Sequence, residues 1–162
     1  GYGELRLRVV GYINEDVNFA EVIDYIRINS RQGDLGTISI IVFNLNDFVN
    51  FNSCGVREWI LFIENIQSRY SLVFENVSES FIEQVTVIPS VLGRSKPKFV
   101  SVYVPYFCEK CNARFCKLTS LEGFVLATGH PRAPESVCAQ CGAKTVFDAD
   151  EKEYFEFMKY IG

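Results

Sequence analysis

The spacing of hydrophobic and polar positions changes along the chain, and each change predicts an element. From Glu4 to Tyr12, Leu5, Leu7 and Val9 alternate with Glu4, Arg6 and Arg8, the period of a strand with one buried face. Asn18 stands three residues before Glu21, a capping-box pair at a helix start. Phe19, Val22, Ile23 and Ile26 follow at helical spacing, so a helix is predicted from Phe19 to Asn29 that stops near Gly33-Asp34. Gly36 to Leu45 is nearly continuous apolar sequence rich in β-branched residues, which predicts a central strand buried on both faces. Asn44 to Asn52 reads as a loop with one or two extended residues. A second helix is predicted from Gly55 or Val56 to about Tyr70, with Val56, Trp59, Ile60, Ile63 and Ile66 on its core face. Leu61 and Phe62 fall off that stripe and are expected to be partly exposed or to face the C-terminal part.

Ser71 to Glu75 reads as a short strand, and Ser80 with Glu83 as a second capping box opening a helix that carries Phe81, Ile82 and Val85. Pro89 ends that helix, because proline disfavours helical geometry in the residue before it. Phe99 to Val104 alternates again and predicts a last strand. The order β-α-β-α-β-α-β over residues 1–105 predicts an α/β domain, a sheet covered by helices. At Pro105 the sequence turns cysteine-rich, and residues 106–162 read as a second, small module. Thr145 to Phe147 looks extended, and Asp150 to Ile161 reads as a final helix, acidic at its start and with Lys159 near its end, as the helix dipole prefers.

The cysteines give that module its chemistry. Cys108-Glu109-Lys110-Cys111 and Cys138-Ala139-Gln140-Cys141 are two Cys-x-x-Cys turns, followed by Asn112 and Gly142, the residue types that most easily adopt left-handed backbone. Two such turns facing each other supply tetrahedral sulfur ligation, so one structural zinc ion is expected on Cys108, Cys111, Cys138 and Cys141. The 26 residues from Asn112 to Val137 leave room for a hairpin and its loop in a zinc-ribbon-like arrangement. Four thiolates leave no open position, so the ion is expected to hold the module together and not to catalyse. Cys116 is expected to be a small buried hydrophobe, and His130, within Gly129-His130-Pro131, a solvated loop residue.

Composition narrows the function. Of 162 residues 48% are hydrophobic and 22% charged, enough to build a core, and fourteen Phe and eight Tyr make that core aromatic. The net charge of -4 and the absence of a basic stripe argue against a nucleic-acid binder, as does the acidic run from Asp148 to Glu156. Arg94-Ser95-Lys96-Pro97-Lys98 is short and reads as a loop or strand entrance. No run of eighteen apolar residues occurs, so no membrane span is expected. The N-terminus lacks the order of a signal peptide, and the paired Cys-x-x-Cys usage points to a reducing, cytoplasmic setting. No histidine-based triad and no phosphate-cradling glycine loop is found, so an enzyme is not expected.

The run Asn44-Leu45-Asn46-Asp47-Phe48-Val49-Asn50-Phe51-Asn52-Ser53-Cys54-Gly55-Val56 resembles the signature of STAS domains, found in bacterial anti-sigma factor antagonists and in sulfate transporters. In that family an aspartate ends the strand, and a second follows eight residues later, directly before Ser-Ser-Gly-Val or a variant. Asn44 and Asn52 stand at those positions, Ser53 matches the first serine and Cys54 the second. The resemblance covers about residues 4–105 and implies a STAS-like mixed sheet, with a signalling role exerted through protein binding. The switch surface it implies is Asn52, Ser53, Cys54, Gly55 and Arg57, and the partner a kinase-like or anti-sigma-like regulator. In regulatory members the second serine is phosphorylated, which adds nearly two charges at the helix start. Cys54 has no hydroxyl, and that departure puts ordinary phospho-switching in doubt. The alternatives are a nucleic-acid-associated zinc-ribbon protein and a thiol-based sensor that uses Cys54, since a helix N-terminus stabilises thiolate.

Overall fold

The computed structural model describes residues 3–31, 37–124 and 130–162. Strand β1 (Gly3–Ile13) leads through α1 (Phe19–Arg31) to β2 (Ile38–Phe51). Helix α2 (Ser53–Gln67), β3 (Ser71–Glu75), α3 (Glu79–Val87), a 3-10 turn (Pro89–Leu92) and β4 (Lys98–Phe99) follow. Strands β5 (Ser101–Cys108) and β6 (Ala113–Ser120) form a hairpin, then come β7 (Val146–Phe147), α4 (Glu151–Tyr154) and a 3-10 turn (Phe155–Lys159).

The first sheet has the order β1-β2-β3-β4, and every neighbouring pair in it is parallel. A mixed sheet was expected; the antiparallel strands belong to a second sheet, of order β6-β5-β7. When strand order follows chain order, right-handed crossovers put all the helices on one face. The side chains agree. Ile41, Phe43 and Leu45 of β2 join the core with Trp59, Ile63 and Phe81, whereas Val42 stays outside that cluster. Val42 is nonetheless buried at 3% exposure. Arg6, its neighbour on β1, reaches over β2 to both oxygens of Glu75 at 2.9 and 2.8 Å, so an arginine stem covers the valine.

The predicted loop from Asn44 to Asn52 is instead the second half of β2. Register shifts let Asp47, Phe48, Asn50 and Phe51 pair with Val10, Gly11, Tyr12 and Ile13. The Asn44 side chain accepts from the Asn46 amide at 3.0 Å, so polar residues that look like a loop in sequence serve a bulged strand. The Asn18–Glu21 box forms, with Asn18 accepting from the Glu21 amide and donating to its carboxylate. At α3 the cap is Ser78, which accepts from Phe81 N at 3.3 Å, two residues earlier than predicted. Phe62 is not at the surface: it is 3% exposed and stacks on Phe19 with ring centres 4.7 Å apart, while Leu61 stays exposed. The α2 stripe is simply wider than a single row.

Strand β5 passes through position 105 unbroken. Its start continues the parallel sheet, since Val77 N donates to Ser101 O and Tyr103 N to Val77 O, and its end carries Cys108. Val102, Val104 and Tyr106 of β5 and Tyr154, Phe155 and Phe157 of the C-terminus share one core with Phe74 and Phe81. The final helix is short, capped by Asp150 accepting from Glu153 N at 3.0 Å, and then tightens into a 3-10 turn.

Candidate functional sites: a four-cysteine centre and the start of α2

Each cysteine of the centre is set by a local turn. Cys108 ends β5, the turn passes through Glu109 and Lys110, and Cys111 N points at Cys108 Sγ at 3.4 Å. Asn112 closes that turn with φ of 50°. The second turn repeats the plan: Gly142 has φ of 70°, its N–H donates to Cys138 O at 2.8 Å, and Cys138 N donates to Ala143 O at 2.8 Å. The predicted Asn and Gly thus occupy the left-handed positions.

The four sulfurs lie within 4.8 Å of one another and could hold a metal ion. Cys108 and Cys141 are 3.6 Å apart, and Cys111 and Cys138 3.8 Å. A disulfide needs about 2.05 Å, and all six cysteines are free thiols. A tetrahedron with metal–sulfur bonds of about 2.3 Å has sulfur–sulfur edges of about 3.8 Å. The donor set and its spacing therefore fit a tetrahedral metal. The backbone N–H groups of Cys141 and Gln140 stabilise the Cys138 thiolate and lower its pKa to about 7. Hydrogen bonding with the Cys141 sulfur, with burial behind it, pushes Cys111 up to about 12. Four thiolates this close repel one another, and a divalent cation removes that conflict.

Arg114 on β6 ties the hairpin down, an arrangement that carried no signal in the sequence. It donates to both oxygens of Glu79 at the start of α3, at 3.0 and 2.5 Å, and to Asp148 after β7 at 2.6 Å. Cys116 is exposed, contrary to expectation, because it lies on an outer strand of the second sheet beside Glu79. His130 is exposed in a bend, as predicted.

At the start of α2 the structure brings Asn52, Ser53, Cys54, Gly55 and Arg57 into one turn. Asn52 is the cap, and its side-chain oxygen accepts from Gly55 N at 2.7 Å. Its backbone N donates to Ile13 O at 3.1 Å, which fixes the turn to the end of β1. Asn52, Ser53, Cys54 and Arg57 are exposed, and Gly55 is buried against Ile13. Sequence reasoning missed Glu15, whose carboxylate accepts from the Asn52 amide nitrogen at 2.5 Å. An aspartate at position 52 has no proton to donate there, which gives the amide a local physical reason.

That bond, followed by one from the residue's own backbone, holds the Glu15 pKa below its ordinary 4.5. A lowered carboxylate contributes stability above the ordinary pKa and loses it as pH falls through the folded value. Asn52→Ala is therefore expected to return Glu15 to the ordinary carboxylate range in an NMR titration. It is also expected to cost about 1 kcal/mol through the lost cap. An unmoved Glu15 titration would count against the contact. Comparison with protein-family models, with curated proteins and with solved structures gives no match for this chain.

Proposed function

We propose that this chain is a STAS-like, non-enzymatic interaction module whose α2 start docks a regulatory protein, kinase-like or anti-sigma-like. The observation that carries the reading is the exposure of Asn52, Ser53, Cys54 and Arg57 on a turn that is itself immobilised. The Asn52 cap and the Gly55–Ile13 contact fix that turn from beneath, so its outward side chains are presented with little freedom to lose on binding. Among the described residues Arg57 makes no ion pair, which leaves its charge for a partner.

In the same reading the four-cysteine centre binds a structural zinc ion and the hairpin around it is ribbon-like. Zinc is favoured over iron because a closed tetrathiolate site that only staples two turns needs no redox chemistry. The ion needs reduced thiols, which suits a cytoplasmic setting. A nucleic-acid partner is disfavoured by the carboxylates of Glu79, Glu83, Asp148, Asp150 and Glu153, which line one cavity beside the hairpin.

The test is affinity capture from native extract with Ser53→Glu and Arg57→Glu beside the surface control Lys152→Glu. Both first variants are expected to lose a protein that the wild type and the control retain, with melting temperatures unchanged. Retention of every bound protein by both would defeat the docking site, whatever the metal content proves to be.

A further inference from the structure

The sheet ends at β1, and among the described residues nothing pairs with its outer edge from Gly3 to Ile13. A free edge of this kind is a template for another strand, and proteins usually blunt it with proline or inward-pointing charge. This one has neither. Its charges, Glu4, Arg6 and Arg8, are exposed on the face away from the helices, while Leu5, Leu7 and Val9 face the core.

The inner face of β1 is only half roofed. Helix α1 packs on α2 and β2, and a groove of about 620 Å³ remains between β1 and α1. It runs inward to Phe43, Trp59 and Phe62, and Val10 and Tyr25 on its rim are 60% and 53% exposed. An apolar groove beside an unpaired strand fits an added strand, which supplies main-chain bonds and apolar side chains together.

The order of charges selects the strand. We propose that β1 pairs antiparallel with β1 of a second copy of this chain, about a two-fold axis at Arg6. That register sets Glu4 of each copy opposite Arg8 of the other, and Leu5 opposite Leu7 on the inner face. Arg6 meets its own copy at the axis, but each Arg6 is held by Glu75. Within one chain Glu4 pairs with Arg6 and Arg8 with Asp47, and these exposed side chains exchange those partners for each other across the axis. A two-fold axis at Leu7 would set Arg6 against Arg8 twice, and one at Leu5 would shorten the ladder to Gly3 through Leu7. The Arg6 register alone combines two opposite-charge pairs with a ladder from Gly3 to Val9. The result is a continuous sheet with four strands from each copy, in which Leu5 of one copy covers the Leu7 end of the other copy's groove.

Sedimentation equilibrium of the full, metal-retaining chain tests this across a broad concentration range. The wild type is expected to dimerise. Glu4→Arg alone and Arg8→Glu alone place like charges in opposition at two points, and each is expected to raise the dimer Kd at least about tenfold. An equimolar mixture of the two variants recreates both opposite-charge pairs and is expected to form a heterodimer of near wild-type affinity, as is a homodimer of the double variant. Melting curves confirm that each variant folds. A wild type monomeric throughout, a dimer that neither reversal weakens, or a mixture that fails to recover affinity would each overturn the proposal.

Discussion

Stripping the metal from the proposed centre at Cys108, Cys111, Cys138 and Cys141 is expected to unfold the C-terminal sheet and leave most of the parallel sheet in place. The two turns meet through sulfur: the second touches the hairpin at the Cys108–Cys141 and Cys111–Cys138 pairs. The cross-strand support nearby is thin, since β7 is two residues long and Val137–Lys144 is an isolated bridge. A structural zinc ion contributes about 10–16 kcal/mol in small finger peptides at neutral pH. Against that scale Arg114 and its two carboxylates, all partly solvated, are a minor restraint. Chelation, or Cys138→Ser, should abolish stoichiometric metal by mass analysis. It should also lower hydrogen-exchange protection across β6, β7 and residues 137–144 by at least about a hundredfold, while β1 to β3 stay protected. Full protection in a metal-free protein would refute the structural role of the centre.

Gly55→Ala is expected to be the most damaging single-methyl change in the parallel sheet domain. A Cβ at position 55 would lie 1.9 Å from Ile13 O, 2.4 Å from Ile13 C and 2.9 Å from Asn14 N. All three are backbone atoms, so no side-chain rotation relieves the clash. Either α2 must lift from the end of β1 or the Asn52–Ile13 bond must break. A cost of about 3 kcal/mol or more follows, a fall of roughly 6–12 °C in melting temperature for a chain of this size. Gly11→Ala is the internal control. Its φ of 76° strains an alanine, yet nothing lies within 4 Å, so a loss of only about 1–2 kcal/mol is expected. Equal losses at the two positions would mean that backbone strain, not the approach to Ile13, governs Gly55.

Much of this architecture is readable from pattern alone because the patterns have local physical causes. The alternation in β1, the Asn18–Glu21 box and the stop at Pro89 each act within a few residues, and each stands where it was expected. The cysteine turns are legible for the same reason: two intervening residues and a left-handed position make the geometry local. Reading fails where a partner distant in sequence decides. Asn44 to Phe51 is polar enough to look like a loop, and only the C-terminal half of β1 makes it a strand. Phe62 lies off the helix stripe, and Phe19 of α1 together with Phe43 of β2 shows why it is buried. Glu15 and Arg114 have no local signature at all, because their meaning comes from Asn52, Glu79 and Asp148.

In the parallel sheet each strand pairs with the one made just before it, β1 with β2, β2 with β3, β3 with β4. A chain emerging from the ribosome can therefore lay down this layer in order of synthesis, because no early strand must wait for a late one. The cysteine-bearing hairpin follows on β5, and the core under that layer is complete only when Tyr154, Phe155 and Phe157 arrive at the end of the chain.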